Sequence, residues 1–142
     1  MATRVDPFAK HNFLLEIDGI TAAGFTEVGG LTFEQAIIEY REGSDPLWVR
    51  KIPGIGKFAP INLKRGQTKD KALFEWRKTT IVGKTERKNG AVILLDEARN
   101  PVLRWEFSNG WISKYEGPAL NATANEAAIE SIEIAVEFVQ LV

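Results

Sequence analysis

The chain has 142 residues, 44% of them hydrophobic and 26% charged, with 18 basic and 19 acidic side chains and a formal net charge of −1. This length and ordinary composition fit a single domain over residues 1–142 and exclude a disordered chain or a membrane span. The near-neutral charge argues against a surface that neutralises nucleic-acid phosphates, and the lack of cysteine excludes disulfides, thiolate nucleophiles and thiolate metal ligands.

Short strands separated by glycine turns are predicted at the start of the chain. Residues 12–18 alternate between apolar and polar side chains, and Gly29-Gly30 marks a tight turn or bulge with positive φ. In residues 31–43 the apolar face switches near residues 36–37, so either a bulge re-aims the strand or both of its faces are covered. The inward side chains of the first strand are Phe13, Leu15 and Ile17.

The stretch "SDPLWVRKIPGIGKFAP", residues 44–60, is too rich in Pro and Gly for a regular element throughout. We therefore predict an extended loop at about 41–60. "GIGK" within it is not a phosphate loop, because Lys51 stands where the first glycine should be and a phenylalanine follows the lysine. The loop is unusually apolar, so we expect another surface to cover it. Its predicted contact residues are Leu47, Trp48, Val49, Ile52, Pro53, Ile55 and Phe58.

One helix is predicted, over residues 68–83, "TKDKALFEWRKTTIVG", where the apolar period changes to that of a helix. Thr68 or Asp70 can cap its start, and Gly83 supplies a left-handed exit. The side chains predicted to face the core are Leu73 and Trp76.

The remaining segments predict further antiparallel strands. Residues 91–97 and 101–109 form a hairpin, residues 110–121 form a strand, and residues 129–142 form a long final strand that alternates regularly. "TANE" at 123–126 matches a capping box and predicts one helical turn. About seven strands around one helix favour a small antiparallel β-barrel or closed sandwich. Predicted core residues here are Trp105 and Ile134, and predicted wet-face residues are Asn62, Lys64, Glu133 and Glu137.

The residues offer little for catalysis. The single histidine, His11, precedes the first strand, and a lone histidine is more often a surface or subunit-contact residue than a catalytic one. The carboxylate pairs 96–97 and 133/137 fall at a hairpin end and on a wet strand face, where solvated side chains are expected. We therefore predict no enzyme activity, no cofactor and no metal site. Trp48 differs from the core tryptophans because it lies in the loop, which is typical of an interface anchor.

Several phrases, in this order, resemble the tail-tube proteins of contractile-tail bacteriophages and the inner-tube proteins of contractile injection systems. They are "DPFAKHNFLLEIDGITAAGFTEVGGL", "IIEYREG", "KIPGIGKFAPINLKRG" followed by "KALFEWRK", and "NATANEAAIESIEIAVE". The similarity extends from about Pro7 to Val139. Its most specific pieces are the turn at 40–43, residues 64–66 followed by 73–76, and residues 125–126 before the final strand.

The resemblance implies a β-barrel with one flanking helix, similar to the haemolysin-coregulated proteins. It implies six-membered rings that stack into a hollow tube, with the loop at 41–60 reaching the neighbouring ring. The implied partners are further copies of the chain, sheath protein, a baseplate or spike hub, a tube-terminating cap, and effector cargo or phage DNA in the lumen. Specific nucleic-acid recognition and membrane insertion by the subunit are not implied. Candidate lumen-face residues are Asn62, Lys64, Glu133 and Glu137.

Other interpretations of the residues remain open. In a monomeric ligand-binding β-barrel, residues 44–60 would be a lid over a pocket. A sheet-based nucleic-acid binder would use a basic strip of Lys57, Lys64, Arg65 and Lys69, against which the net charge weighs. The N-terminus lacks a secretory pattern, so we expect assembly in the cytoplasm. A phage tail and an injection particle, whether extracellular, membrane-anchored or cytoplasmic, fit the sequence equally.

Overall fold

The structure is a computed structural model that describes residues 13–18, 20–44, 46–66, 70–118 and 128–142. These residues form nine strands and one helix, so the fold is mainly β with a single helix, as the sequence predicted. No helix in the described ranges is long and apolar enough to cross a membrane. The elements are β1 Phe13–Ile17, β2 Ile20–Gly29, β3 Phe33–Tyr40, β4 Arg50–Phe58, β5 Ile61–Gly66, α1 Ala72–Ile81, β6 Lys88–Leu95, β7 Pro101–Glu116, β8 Ile129–Ala135 and β9 Phe138–Leu141.

Seven of the strands form one antiparallel sheet in the order β6-β1-β2-β5-β8-β7-β9. The sheet closes into a ring because β6 also pairs with β7. The ring is not a regular barrel, since β7 changes partners along its length: its first part pairs with β6 and β9, and its second part pairs with β8. Closure removes most of the exposed strand edges that otherwise promote aggregation.

The hydrophobic core fills the inside of this ring. Phe13 is only partly buried but packs against the core cluster. Trp105 is also partly buried and lies outside that cluster; it pairs with the buried Val92 of β6 on one side and with the exposed Leu141 of β9 on the other. Trp105 thus lies on the same face of β7 as the buried Phe107, as predicted, but it is only partly buried. The other side chains predicted for the core are all buried: Leu15, Ile17, Leu73, Trp76 and Ile134.

Helix α1 is shorter than predicted and ends as predicted. Asp70 lies one residue before the N-cap position, and its carboxylate accepts a hydrogen bond from the Ala72 N–H at 3.0 Å. Gly83 follows the helix with a φ of 80°, and the next amide, of Lys84, donates to the Thr79 carbonyl at 2.8 Å. This bonding satisfies carbonyls that would otherwise lack a partner at the helix end.

Two strand boundaries differ from the sequence prediction. Residues 101–109 and 110–121 were predicted as separate strands, but the chain continues through them as β7 and bends at Asn109, where φ is 53°. The predicted single strand over 129–142 is divided instead into β8 and β9, with a bend at Glu137, whose N–H donates to the Ser108 carbonyl at 3.1 Å. The predicted helical turn at 123–126 lies outside the described residues.

The largest correction concerns the predicted loop at 41–60. Its second half is strand β4, which pairs with β3 in a separate two-stranded hairpin, and only residues 41–49 connect the strands. Proline is tolerated in strands that pair on one side only, and β4 is such a strand. Cross-strand pairs of opposite charge, Glu34 with Lys57 and Glu39 with Lys51, favour this pairing.

Candidate assembly surface

A β-bulge divides the β3–β4 hairpin into two halves. Gln35 pairs with Gly56 and Ile37 with Pro53, so one residue of β3, Ala36, faces two residues of β4. The extra residue lies in β4, so side chains alternate without a break along β3, and the switch near residues 36–37 places apolar side chains on both faces of that strand. Every residue of β3 is exposed, so neither face of the strand is covered within the subunit.

Apolar side chains project from both faces of the hairpin. Alternation about the bulge places Ile37 and Pro53 on one face and Ile38 and Ile52 on the other. Ile55 is 87% exposed, at the bulge. Isolated soluble proteins rarely expose so many neighbouring apolar side chains, so a partner surface is expected on each face. The exposed large apolar side chains of the hairpin and its connection are Phe33, Ile37, Ile38, Tyr40, Leu47, Trp48, Val49, Ile52 and Ile55.

Hydrogen bonds of neighbouring polar groups stabilise the connection at the end of the hairpin, residues 41–49. The Tyr40 hydroxyl donates to the Glu42 carboxylate, and this hydrogen bond, followed by a small desolvation effect, raises the pKa of Tyr40. The Arg41 Nε donates to the Pro46 carbonyl at 3.0 Å. These bonds give a physical role to the turn at 40–43. They hold a connection whose apolar side chains are strongly exposed: Leu47 is 94% and Trp48 71% exposed.

Phe58 differs from the other predicted contact residues because it is partly buried within its own subunit. Its ring centroid lies 4.8 Å from that of Phe33 and 5.2 Å from that of Phe138. Leu47, Trp48, Val49, Ile52, Pro53 and Ile55 are all exposed. The structure thus brings most of the predicted contact residues to one projecting element, with Phe58 at its base.

A polar face covers the outside of the four strands β2, β5, β8 and β7. Two rows of paired residues cross it, with Lys64 beside Glu27 in one row and Glu133 between Asn62 and Lys114 in the other. The Lys64 Nζ lies 3.9 Å from the Glu27 carboxylate. The complete rows are Glu27, Lys64, Ser131 and Glu116, and Gly29, Asn62, Glu133 and Lys114.

Three of the four lumen-face candidates, Asn62, Lys64 and Glu133, therefore share one face. Glu137 does not belong to these rows. It lies between β8 and β9, and its carboxylate accepts a hydrogen bond from Asn109 Nδ2 at 2.8 Å.

A buried ionic cluster lies behind the polar face. Arg65 Nε donates to the Glu130 carboxylate at 2.7 Å, the Tyr115 hydroxyl donates to the same carboxylate, and the guanidinium lies 5.1 Å from the Phe25 ring centroid. Among the described side chains, Arg65 Nη2 is the one buried polar atom without a hydrogen-bond partner. Because Arg65 is buried, it cannot belong to the basic surface strip considered from the sequence.

This cluster was not predicted, although the sequence carries a signal for it. Arg65 follows Ile61 and Leu63 at the inward positions of β5, and Glu130 precedes Ile132 at an inward position of β8. Opposite charges at core positions of two strands indicate a buried pair when the strands are neighbours. That the two strands are neighbours, with Arg65 opposite Glu130, is shown only by the strand order of the folded sheet.

The recesses observed among the described residues are open surface hollows rather than an enclosed pocket. A recess of about 430 Å³ opens beside β1, β6 and β7 and is lined by polar side chains such as Glu16, Asp18 and Arg104. Residues 50–58 form an exposed strand that lines other recesses than this one, so they are not a lid over it. The described residues also contain no group of three or more potential metal ligands from His, Cys, Asp and Glu.

Comparison with known proteins identifies the family. The T4-like virus tail tube protein gp19 family matches residues 9–140. The chain belongs to this family. It is a tail tube protein, and the resemblance noted in the sequence is confirmed. None of the curated protein sequences compared with it matches.

Solved structures agree with this assignment. A chain in the PVC sheath-tube complex of an extracellular contractile injection system, in the extended state, is 25% identical with a TM-score of 0.82, covering 96% of this chain and 91% of that one. A chain in the anti-feeding prophage tube-terminating cap structure is 26% identical with a TM-score of 0.82, covering 100% and 94%. Hcp1 from Flavobacterium johnsoniae, 17% identical with a TM-score of 0.56 and covering 92% and 94%, shares the fold.

Proposed function

We propose that this tail tube protein forms six-membered rings that stack into the hollow inner tube of a contractile injection system or phage tail. The observation that carries the proposal is the β3–β4 hairpin, which is apolar on both faces and extends outside the closed ring of strands. Exposed apolar surface of this kind is unfavourable in water and marks a site that other surfaces cover. The tube acts by its shape, and we propose no catalytic activity.

The surface that covers the hairpin is proposed to be another copy of the same chain, in the next ring. Head-to-tail contacts between identical subunits close into rings or continue as filaments, so one projecting element can serve every subunit equally. The large apolar side chains at the end of the hairpin, Leu47 and Trp48, fit the role of anchors in such a contact. The remaining proposed contact residues are Val49, Ile52, Pro53 and Ile55, with Phe58 at the base.

The polar face of β2, β5, β8 and β7 is proposed to line the lumen. Its side chains are hydrophilic and of mixed sign, as a water-filled channel requires. Asn62, Lys64 and Glu133 remain the proposed lumen residues on this face, and Glu137 is proposed to lie at its margin. Mixed charges would limit adhesion of effector cargo or phage DNA.

The proposed partners are those of a contractile tube. The similar chains occur in structures described as a sheath-tube complex, a baseplate and a tube-terminating cap. By analogy we propose that this chain binds a sheath, a baseplate or spike hub and a cap, after assembly in the cytoplasm. Sheath contraction would then drive the tube and its cargo into a target.

Electron microscopy of the purified protein tests the proposal. We expect annular rings or stacked tubes at high protein concentration. A particle of monomer mass, 15.8 kDa, under all such conditions would refute self-assembly. The contact surface is tested by Ile55→Asp and Trp48→Asp, which should abolish stacking without unfolding the subunit, because both side chains are largely exposed.

A matched control is available on helix α1. Ile81 is 63% exposed, so Ile81→Asp introduces the same charge at another exposed isoleucine and should leave stacking unchanged. Equal loss of stacking in both variants would mean that added charge, rather than the hairpin surface, prevents assembly. Unfolding of the Ile55→Asp subunit would mean that the hairpin stabilises the subunit itself.

A further inference from the structure

The hairpin joins the closed ring of strands through a short double connection, here called the neck, which comprises residues 30–32 and 59–60. Two links of three and two residues leave little slack. The two links are also bonded to each other, because the Ala59 N–H donates to the Thr32 carbonyl at 2.9 Å. The relative position of the two links is therefore fixed by a backbone hydrogen bond.

Gly30 lets the two links approach each other closely. Its φ is 97°, a conformation that side chains other than hydrogen rarely allow. A Cβ at this position would overlap the Pro60 carbonyl oxygen and lie 2.9 Å from the Ile61 Cα, both of which are backbone atoms. Because backbone cannot move aside as a flexible side chain can, this contact requires glycine.

Leu31 connects the neck to the core. Its φ is 34°, which is uncommon for a residue with a side chain, and its side chain packs against the core cluster of the ring. Such a backbone conformation persists only where its surroundings enforce it. The Thr32 hydroxyl adds a hydrogen bond to the Gly30 carbonyl.

An aromatic contact holds the hairpin from the other side. Phe58, the last residue of β4, lies between Phe33 of the hairpin and Phe138 of β9. Phe138 belongs to the ring of strands, so this contact spans the junction between the hairpin and the rest of the subunit. Tilted and edge-on aromatic contacts of this kind restrict the mutual orientation of the elements that carry them.

From these contacts we propose that the neck, together with the aromatic contact between Phe58 and Phe138, holds the hairpin at one fixed angle before assembly and so presents it, already oriented, to a second copy of the chain. Gly30, Leu31 and Phe138 are then positioning residues for ring stacking although none of them belongs to the proposed contact surface. A flexible connection would lose conformational entropy when subunits associate, and this loss weakens association. A connection that is already fixed loses little conformational entropy. This inference rests on the proposed stacking function.

Distance measurements between spin labels test the orientation directly. The chain has no cysteine, so Lys51→Cys on the hairpin and Lys114→Cys on β7 provide two unique labels at exposed positions. In the unassembled protein we expect a single narrow distance distribution. We expect Phe138→Ala to broaden it, because that change removes the aromatic contact across the junction. A broad distribution in the parent protein would overturn the proposal.

Assembly measurements then link orientation to stacking. We expect Gly30→Ala and Phe138→Ala to raise the protein concentration needed for tube formation by about tenfold or more, since ordering the hairpin now accompanies association. Gly29→Ala is the matched control for the first, because a Cβ there meets no atom within 4 Å. Leu141→Ala on the same strand, β9, is the control for Phe138→Ala. Both controls should assemble at the parental concentration.

The outcomes separate the inference from the function on which it rests. Absence of tubes from the parent protein would refute the stacking function itself. Tubes formed by the parent protein and equally well by Phe138→Ala would refute only the proposed positioning of the hairpin before assembly. If Gly30→Ala fails to fold, Phe138→Ala decides, because its side chain is about half exposed and its loss spares the buried core.

Discussion

Removal of the negative charge from the buried ionic cluster is expected to destabilise the subunit strongly. The side chains of Arg65 and Glu130 are 2% and 1% exposed, and their hydrogen bond is 2.7 Å long. Glu130→Gln keeps the shape of the side chain but leaves the arginine charge buried without a counter-charge. Loss of one partner from a buried ion pair costs about 3–5 kcal/mol. At about 3 °C per kcal/mol for a chain of this size, the melting temperature should fall by roughly 10–15 °C.

Urea unfolding followed by tryptophan fluorescence measures this effect. The Ile55→Asp background should keep the protein unassembled, so that the free energy of unfolding refers to single subunits. Lys64→Met is the matched control, because Lys64 lies next to Arg65 on β5 and pairs with Glu27 on the exposed face. An exposed pair of this kind contributes about 0–1 kcal/mol.

Replacement of both charged partners distinguishes the ion pair from simple packing. The combined change of Arg65→Met, Glu130→Leu and Tyr115→Phe removes both charges and the hydroxyl that also bonds to Glu130. It should cost less than Glu130→Gln alone, since no buried charge remains unpaired. A Glu130→Gln variant within about 1 kcal/mol of the parent, or a triple variant less stable than Glu130→Gln, would refute the reasoning.

Three further changes test other parts of the structure. Gly90→Ala should cost about 2 kcal/mol or more in urea unfolding, because its Cβ would overlap Ile17 Cγ2. Arg104→Ala should cost less than about 1 kcal/mol in the same assay, since its ion pair with Glu106 is partly exposed. Glu42→Gln should lower the raised pKa of Tyr40, as measured by the ultraviolet absorbance of tyrosinate during titration in a Tyr115→Phe background.

Strand and helix periodicity allowed most of the fold to be predicted from local sequence. Alternation placed Leu15 and Ile134 in the core, and the helical pattern placed Leu73 and Trp76 there, because each pattern reflects one buried face. The bend of β7 at Asn109 and the division between β8 and β9 were missed. Both lie where segments far apart in sequence are hydrogen-bonded, Glu137 to Ser108 and Asn109 to Asn89, and a local pattern does not encode such contacts.

The prediction for β4 failed for a different reason. Pro53 and the glycines around it disfavour a strand inside a sheet, but β4 has a neighbouring strand, β3, on one side only. Each strand of a two-stranded hairpin has one free edge, so the rule against proline inside a sheet does not apply to it. The unusually apolar character of residues 44–60, by contrast, was recognised from the sequence. Hydrophobicity is a property of the residues themselves and does not depend on whether they form a loop or a strand.

The residues of the hairpin therefore act at two stages: some determine the shape of the free subunit, and others act only when subunits associate. Its cross-strand pairs and its neck involve residues of the same chain, so they determine the shape of the subunit before any contact with another copy. Its apolar faces have no counterpart in the subunit, so they stabilise nothing until another surface covers them. Substitutions in the neck should therefore change the orientation of the hairpin in the free subunit, whereas substitutions such as Ile55→Asp should leave that orientation unchanged and act only on association.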